Sequence, residues 1–285
     1  MALAERKLTQ RDLEELTPYS LGTINRTAKE LKDLGYLAGG RITTAGLAAL
    51  EPYRVKRAVF IAAGFGSRLV PITFNTPKPL VRVHGIRLID RLIDACLAAG
   101  IQEIVIVRGY LAEQFDQLLY KYPMIKFLEN PVFNEANNIS SSLVARYLLA
   151  GAYVFEADLL ISNPGIIRPY HYCSNFLGIK KARSDDWCFK VKDGIIQQEM
   201  VGGEGDDIWQ MVGISYWNED DGHRLAQDIV DVYNSPGGKE RYWEQVPLVY
   251  RKEHYKVEVR ECFEEDITEI DSFKELKAVD KTYDV

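Results

Sequence analysis

Apolar residues between positions 55 and 160 follow two alternating patterns, short continuous runs and helically spaced positions. The runs at 58–62, 103–107 and 152–156 are typical of strands buried on both faces of a sheet. Between the first two runs, the apolar positions from 88 to 97 have the spacing of one face of a helix. Strands that alternate with helices form parallel βαβ units, so the pattern predicts an α/β fold with a doubly wound, mostly parallel, Rossmann-like sheet.

Residues from about 160 to 260 are richer in β-type segments and in aromatic side chains. The segments with this pattern are 176–181, 187–191, 195–199 and 210–217. An amphipathic helix is expected at 221–233. These segments predict extensions of the sheet that form a β-rich lid over the nucleotide.

The beginning of the chain predicts a separate, winged helix-turn-helix-like module. Thr9 and Ser20 are suitable N-caps for two consecutive helices, and Pro18 ends the first of them. A short hairpin and a last helix follow. We therefore predict two domains, 1–52 for this module and 53–285 for the larger one.

The second helix of this module would present basic and polar side chains to a DNA partner, namely Asn25, Arg26, Lys29 and Lys32. Residues 1–50 carry seven basic and six acidic side chains, which gives a net charge of only +1. DNA-binding surfaces usually carry a stronger basic stripe, because they neutralise several phosphates. A protein partner, bound through docking or dimerisation, is therefore at least as well supported as DNA.

Composition narrows the class of protein further. The chain has 285 residues, of which 47% are hydrophobic, so it forms a globular fold with a sizeable core. The net charge of −6 disfavours a general binder of nucleic acids or anionic membranes. No apolar run approaches the roughly 20 residues of a membrane span. Residues 1–7 lack the apolar core of a signal peptide, so we expect a cytoplasmic protein. The four cysteines and four histidines are scattered and indicate neither a disulfide framework nor a zinc site.

A glycine-rich loop follows the first predicted strand. Residues 62–68 read AAGFGSR, and residues 76–80 read TPKPL. Glycine lets the backbone approach an anion closely, and Arg68 and Lys78 add the positive charge that suits phosphate groups. Leu69 replaces the third glycine of a dinucleotide-binding fingerprint, and the Gly-Lys-Ser/Thr sequence of a Walker A loop does not follow. The two segments together predict a different kind of triphosphate-binding loop.

Three carboxylates are candidates for holding a divalent metal ion. Asp158 comes directly after the strand at 152–156, and the C-terminal ends of parallel strands form a ligand-binding edge. Glu269 and Asp271 are two residues apart, so their side chains lie on one face of a strand. Either group alone is also typical of a turn or a helix cap. Beside the glycine loop, however, Asp158, Glu269 and Asp271 predict a Mg²⁺ site, because Mg²⁺ prefers carboxylate and phosphate oxygens.

Over about residues 55–280 the sequence resembles the bacterial CTP:phosphocholine cytidylyltransferases and the related enzymes that activate 2-aminoethylphosphonate. The resemblance depends on the two loop motifs and on these short segments: Val107-Arg108-Gly109-Tyr110, Asn137-Asn138, Glu156-Ala157-Asp158, Asp186-Trp187, Tyr242-Trp243 and Glu269-Ile270-Asp271. It implies a nucleotidyltransferase fold and the transfer of CMP from CTP with release of pyrophosphate.

The resemblance also implies a role for each matching residue. Arg68 and Lys78 would bind the triphosphate and form the catalytic set with Asp158. Nucleotide contacts are expected from Ala62, Ala63, Gly64, Gly66, Ser67, Arg68, Lys78, Gly109 and Tyr110. Acceptor contacts are expected from Asn138, Ser140, Asp186, Trp187, Tyr242 and Trp243. The aromatic members of this set would face a cationic head group, because indole and phenol rings attract ammonium groups.

One departure from the family pattern bears on the acceptor. Residues 137–143 read NNISSSL, without the aromatic run that we expect in phosphocholine enzymes after the paired asparagines. Fewer aromatic faces make a weaker cage for a trimethylammonium group, whereas small hydroxyls and nearby Glu135 suit a primary ammonium that donates hydrogen bonds. We therefore favour 2-aminoethylphosphonate over phosphocholine. The product would be CMP-2-aminoethylphosphonate or CDP-choline, for cell-surface decoration.

Two other functions stay open at this point. A sugar-1-phosphate nucleotidyltransferase that uses UTP or dTTP would share Gly64, Arg68, Lys78 and the metal carboxylates, although we find no further sugar-contacting motif. A regulator that binds DNA and only senses a nucleotide is the second alternative. The intact Arg68, Lys78 and Asp158 favour catalysis over sensing. Assembly into a homo-oligomer, and a place within a longer fusion protein, are also left open.

Overall fold

The computed structural model describes residues 8–17 and 19–284. The described residues do not include 1–7, Pro18 and Val285. Two predictions therefore lie outside the described residues. They are the lack of an apolar signal-peptide core in residues 1–7 and the end of the first helix at Pro18. The chain divides into two compact units, one that ends at Arg54 and one that begins at Val55.

The N-terminal unit contains helices and one short hairpin. Its described elements are α1 (Gln10–Leu16), α2 (Leu21–Asp33), β1 (Leu37–Ala38), β2 (Arg41–Ile42) and α3 (Thr44–Leu50). The hydroxyl of Thr9 accepts a hydrogen bond from the Asp12 amide, and the hydroxyl of Ser20 accepts one from the Thr23 amide. Both predicted N-caps are therefore confirmed. The binding of DNA or protein by this unit stays a prediction.

The second unit is built around one large sheet and has two separate pairs of short strands. In chain order its described strands are β3 (Arg57–Ile61), β4 (Arg82–Val83), β5 (Ile86–Arg87), β6 (Glu103–Arg108), β7 (Lys126–Glu129), β8 (Ala152–Glu156), β9 (Leu159–Ile161), β10 (Asn175–Lys180), β11 (Arg183–Lys192), β12 (Ile195–Glu204), β13 (Ile208–Trp217), β14 (Glu258–Glu261) and β15 (Ile267–Glu269). The large sheet has the order β10-β14-β12-β11-β13-β8-β3-β6-β7.

One half of this sheet is parallel, as the sequence predicts. Strands β8, β3, β6 and β7 are neighbours, and all three of their pairings are parallel. In the middle strand, Ala58 and Phe60 belong to the apolar cluster on one face, whereas Val59 and Ile61 belong to the cluster on the other face. Because successive side chains of a strand point to opposite faces, β3 is buried on both sides.

Helices cover both faces of the sheet, which confirms the doubly wound α/β fold. They are α4 (Leu88–Ala98), α5 (Ile139–Ala145) and α6 (Glu219–Tyr233), whereas α7 (Phe273–Val279) packs in a separate cluster with Leu69 and Ile270. Ile89 and Leu92 of α4 pack in the cluster that contains Phe60. Leu225 and Ile229 of α6 pack in the opposite cluster. Among the described residues, no helix is both long and apolar enough to cross a membrane, and the cytoplasmic location stays a prediction.

The other half of the sheet corrects the expectation of a mostly parallel arrangement. Strand β13 runs antiparallel beside β8, and β11 pairs antiparallel with both β12 and β13. The chain joins β10 to β13 through short connections, which allow antiparallel pairing but cannot make the long crossover that parallel neighbours need. The sheet is therefore mixed, and the segments predicted as a lid are strands of this same sheet.

A short strand pair positions the C-terminal carboxylates. Strand β15 pairs antiparallel with β9, and this register sets Glu269 opposite Leu159. One residue further on, the Ile270 amide donates a hydrogen bond of 3.3 Å to the carbonyl of Asp158. Segments more than 100 residues apart in the sequence are thereby brought to one edge of the sheet.

Candidate active site

A cavity of about 930 Å³ opens where β3 and β8 end. The predicted site residues that line it are Ala62, Ala63, Gly64, Gly66, Ser67, Arg68, Lys78, Asn138, Ser140, Asp158, Asp186, Trp187, Tyr242, Glu269 and Asp271. They come from both ends of the second unit's sequence and from its middle. The fold thus gathers most of the predicted residues at the C-terminal edge of the parallel strands, as expected for an open α/β sheet.

The glycine loop has a backbone that requires glycine at position 66. Gly66 has a φ of +61°, in the left-handed region that L side chains rarely adopt. A Cβ atom there would also lie 2.9 Å from the Cβ of Lys78. The Gly66 carbonyl accepts hydrogen bonds from the Leu69 amide and from the Thr73 hydroxyl, which both lie 2.9 Å away. The loop therefore packs closely against Lys78, whose side chain lines the cavity.

Lys78 links two of the predicted carboxylates. Its Nζ lies 2.7 Å from Asp158 Oδ2 and 2.8 Å from Asp271 Oδ1, and its side chain is only 11% exposed. Burial by itself would lower the pKa of Lys78, but Asp158 and Asp271 together raise this pKa above its usual value. The ammonium group is therefore charged at neutral pH. Arg68 reaches the same Asp271 oxygen at 2.9 Å, although its side chain is 70% exposed.

A cluster of carboxylates lies beside this lysine. Glu156, Asp158 and Glu269 each offer one oxygen, and these oxygens all lie within 4.8 Å of one another. Asp158 Oδ1 is buried and has no hydrogen-bond partner in residues 8–17 and 19–284. Burial, followed by repulsion from Asp158 and Asp271, raises the pKa of Glu269 to about 9. Burial and the neighbouring carboxylates also raise the pKa of Glu156 well above its usual value.

This donor set fits a hard divalent cation. Three convergent carboxylates repel one another unless a positive charge is added, and the buried Asp158 oxygen lacks a partner within the described part of the chain. Of the predicted metal ligands, Asp158 and Glu269 belong to the cluster, and Glu156 is an addition to it. Glu156 precedes Asp158 by two residues, the same spacing that drew attention to Glu269 and Asp271. Asp271 instead forms ion pairs with Lys78 and Arg68.

The other end of the cavity combines aromatic rings with amide and carboxylate groups. Trp187 and Tyr242 form an edge-to-face pair whose ring centroids are 5.5 Å apart. The side-chain oxygen of Asn138 accepts a hydrogen bond of 2.8 Å from the Trp243 backbone amide. Its Nδ2 atom donates a hydrogen bond of 3.4 Å to Glu244 Oε2. Ser140 is buried, and its hydroxyl oxygen accepts a hydrogen bond of 2.9 Å from Asn130 Nδ2. Further lining residues that the sequence analysis did not select include Asn130, Glu156, Lys239, Glu240 and Glu244.

The structure corrects the acceptor-binding prediction for Trp243. Its ring is buried in the apolar core, where it packs against Phe176 and Trp217 with centroid distances of 6.1 Å to each. Tyr242 next to it faces the cavity. Adjacent residues rarely share a direction, and a pair of aromatic residues in a sequence does not reveal which of the two is turned toward the ligand.

Gly109 and Tyr110 lie behind the glycine loop and do not line the cavity. A Cβ at Gly109 would lie 2.7 Å from the Phe133 side chain, so glycine permits this ring to pack closely. The Tyr110 hydroxyl donates a hydrogen bond of 2.8 Å to the Thr73 carbonyl, and its ring lies 5.1 Å from that of Phe65. Both residues therefore support the loop from outside, where the sequence predicts direct nucleotide contacts.

The mixed α/β sheet, the cationic glycine loop and the carboxylate cluster define a nucleotidyltransferase, and comparisons with known proteins agree. Residues 57–123 match the family described as nucleotidyl transferase. The 2-aminoethylphosphonate cytidylyltransferase of Lancefieldella rimae is 37% identical over 230 residues, which span 79% of this chain and 92% of that protein. The choline-phosphate cytidylyltransferase of Streptococcus pneumoniae is 30% identical over 226 residues, 79% of this chain and 97% of that protein.

A solved structure extends the agreement to three dimensions. The CTP:phosphocholine cytidylyltransferase from Streptococcus pneumoniae superimposes with a TM-score of 0.73 and 30% identity, over 80% of this chain and 99% of that one. The chain therefore belongs to the cytidylyltransferases of the nucleotidyl transferase family. The resemblance drawn from the loop motifs is confirmed, and so are the nucleotidyltransferase fold and the assignment as a transferase.

Proposed function

We propose that the protein transfers CMP from CTP to 2-aminoethylphosphonate, in preference to phosphocholine, and releases pyrophosphate. The observation that carries this proposal is a single cavity with two chemically different ends. Its glycine-loop end carries Arg68 and Lys78, and its other end carries Trp187, Tyr242 and several carboxylates. A triphosphate suits the first end, and a small acceptor with a positive head group suits the second.

The balance of groups at the acceptor end favours a primary ammonium. A trimethylammonium group has no N–H donor and is recognised by several aromatic faces, whereas a primary ammonium donates up to three hydrogen bonds. Two aromatic rings line this end of the cavity, together with four carboxylates, Glu135, Asp186, Glu240 and Glu244. The identity of 37% with a 2-aminoethylphosphonate enzyme, against 30% with a choline-phosphate enzyme, points in the same direction.

The carboxylate cluster would hold Mg²⁺. Glu156, Asp158 and Glu269 supply the oxygens, and Asp271 is close enough to Lys78 to join them when the lysine turns to the triphosphate. A bound Mg²⁺ would neutralise charge on the triphosphate and on the leaving pyrophosphate. The chain itself provides Arg68 and Lys78 for the same anions, and the loop at Gly64 and Gly66 gives the backbone a close approach to them.

The reaction needs positioning more than acid–base chemistry. An oxygen of the acceptor's phosphonate attacks the α-phosphorus of CTP and forms a new P–O bond. The bond from that phosphorus to the bridging oxygen breaks, and pyrophosphate leaves with the electron pair. Because the attacking oxygen is already anionic at neutral pH, no general base is required. Arg68 and Lys78 stabilise the charge that develops on the leaving group.

Pyrophosphate release with CTP and Mg²⁺ tests the proposal. We expect a higher kcat/KM with 2-aminoethylphosphonate than with phosphocholine, and little turnover with glucose-1-phosphate. A preference for phosphocholine would overturn the acceptor assignment. Turnover of glucose-1-phosphate with UTP or dTTP, and none with CTP, would overturn the proposal altogether in favour of the sugar-nucleotide alternative.

We also propose that the N-terminal unit binds a DNA or protein partner. The exposed Arg26, Lys29 and Lys32 on α2 support it. A mobility-shift assay over a salt series separates the two kinds of partner. A specific DNA complex weakens steeply as salt rises, because each neutralised phosphate releases counterions, and no shift at low salt would exclude DNA.

A further inference from the structure

Two glutamates near the acceptor end are buried without any positive partner. Glu199, in β12, is only 8% exposed, and neither of its carboxylate oxygens has a hydrogen-bond partner among the described residues. Glu244 is 3% exposed and accepts a single side-chain hydrogen bond, the long one of 3.4 Å from Asn138. Glu244 lines the cavity, whereas Glu199 does not.

The carboxyl group of Glu244 raises the pKa of Glu199 and also that of the neighbouring Glu156. Burial is the main reason that the pKa of Glu199 is raised to about 8, and the charge of Glu244 is the second. Burial likewise raises the pKa of Glu244 to about 7, against the opposing effect of hydrogen bonds from its own backbone amide and from Asn138. The β12 strand packs against the segment Val246–Tyr250, directly after Glu244. Glu199 therefore lies near Glu244 but does not line the cavity.

Burying carboxyl groups in this way is costly. A buried carboxylate without a donor or a cation loses its hydration and gains nothing in return, and natural proteins rarely retain one without a functional reason. In the described part of the chain, neither Glu199 nor Glu244 forms an ion pair with a lysine, arginine or histidine. Glu244 is open to the cavity, so the missing positive charge has access to this pair from the ligand side.

We propose that Glu244 binds the ammonium group of the acceptor and that Glu199 is a positioning residue, whose buried carboxyl group near Glu244 helps to hold this site for a cationic acceptor. This inference rests on the proposed function, because it assigns one end of the acceptor that the proposal names. Asn138 orients the Glu244 carboxylate from one side. A primary ammonium would donate to the oxygens of Glu244, while Trp187 and Tyr242 offer their rings to the adjoining carbon atoms.

The test compares two acceptors in two variants. The first acceptor is 2-aminoethylphosphonate, and the second is ethylphosphonate, which has the same anionic end but lacks the amine. In the wild type we expect a much lower KM for 2-aminoethylphosphonate. Glu244→Gln should raise that KM roughly 10- to 100-fold, the range of a charge-assisted hydrogen bond, and leave the KM for ethylphosphonate unchanged. Glu244→Asp, which retains the charge, should recover part of the loss.

Glu199→Gln should raise the KM for 2-aminoethylphosphonate by a smaller factor, again without an effect on ethylphosphonate. A residue that only supports the fold would change both acceptors and the KM for CTP together. The matched control is Glu204→Gln, an exposed glutamate at the end of the same strand, which should behave like the wild type. An unchanged KM for CTP in each variant verifies that the nucleotide end is intact.

Each failure of the experiment has a distinct meaning. If the wild type uses 2-aminoethylphosphonate but Glu244→Gln retains the full preference over ethylphosphonate, the inference is overturned and the proposed function stands. The same holds if the wild type uses both acceptors equally well. If the wild type releases no pyrophosphate with 2-aminoethylphosphonate, the proposed function fails, and the inference fails with it.

Discussion

The Nζ atom of Lys78 lies 2.7 Å from Oδ2 of Asp158, across 80 residues of sequence. The lysine belongs to the segment that the sequence assigns to triphosphate, and the aspartate to the segment that it assigns to metal. The same ammonium group also pairs with Asp271. Under the proposed function, substrate binding would exchange these ion pairs for new ones, in which Lys78 contacts phosphate oxygens and Asp158 contacts Mg²⁺.

Asp158→Ala should nearly abolish turnover. The carboxylate contributes to the cluster with Glu156 and Glu269, and electrostatic contacts of this kind are worth about 100-fold or more in kcat. Steady-state pyrophosphate release at saturating CTP and acceptor measures the effect. Asp231→Asn, an exposed residue of α6, serves as the control and should retain full activity. Normal turnover in Asp158→Ala would rule out the metal role of this residue.

Lys78→Met should destabilise the protein in the absence of ligands and make its stability depend on Mg²⁺. Removing the ammonium leaves Asp158 without its counter-charge and Asp271 with only the exposed Arg68, which costs roughly 1–3 kcal/mol of unfolding free energy. Urea denaturation with and without Mg²⁺ measures this change. We expect Mg²⁺ to restore more stability to the variant than to the wild type. Equal responses would show that the cation does not reach these carboxylates.

Gly66→Ala should impair both stability and CTP binding. A side chain at Gly66 is strained by the φ of +61° and meets Lys78, so we expect a loss of about 1–2 kcal/mol and a higher KM for CTP. Gly64→Ala is the matched variant, because a Cβ there meets no atom within 4 Å. Its thermal stability should equal that of the wild type. A fully stable Gly66→Ala variant would contradict the described loop.

The stability of the ligand-free protein should fall as the pH rises from about 5 to 9. Glu199 has a folded-state pKa of about 8 against an ordinary value of 4.5, so the folded state retains its proton over a range in which the unfolded state has lost it. Binding more protons when folded makes the unfolding free energy decrease with rising pH. Glu199→Gln removes the share of this dependence that comes from Glu199, whereas the raised pKa values of Glu244 and Glu269 still contribute in the same direction.

Thermal melts at pH 5 and pH 9 therefore distinguish the variant from the wild type. At pH 9, Glu199→Gln should melt at a higher temperature than the wild type, even though it binds the acceptor more weakly. At pH 5, where Glu199 is protonated in the folded protein, the two should melt alike. A variant that is less stable than the wild type at pH 9 would contradict the burial of an unpartnered carboxyl group.

The sequence predicts much of the nucleotide end of the site, because local rules suffice there. A strand that ends in a Gly-x-Gly loop places Arg68 and Lys78 at the edge of a parallel sheet, and Asp158 follows a second such strand. Glu156 is not among the predicted metal ligands, although its two-residue spacing from Asp158 is the same signal that selects Glu269 and Asp271. Side chains two residues apart on a strand lie on one face, so this spacing also indicates Glu156.

The acceptor end is harder to predict because it is assembled from distant segments. Glu244 becomes important only beside Asn138 and Glu199, which are 106 and 45 residues away in the sequence. Trp243 and Tyr242 are equally aromatic, and only the fold decides that the first is core and the second lines the cavity. The antiparallel half of the sheet likewise depends on which strands the short connections bring together. Hydrophobic periodicity identifies a strand, but it does not identify the strand with which it pairs.

The most direct test of the account is the rate of pyrophosphate release from CTP with Mg²⁺, with 2-aminoethylphosphonate and phosphocholine compared as acceptors under identical conditions. We predict turnover with both and a clearly higher kcat/KM for 2-aminoethylphosphonate. A higher kcat/KM for phosphocholine would contradict the description of the acceptor end as a site for a primary ammonium group.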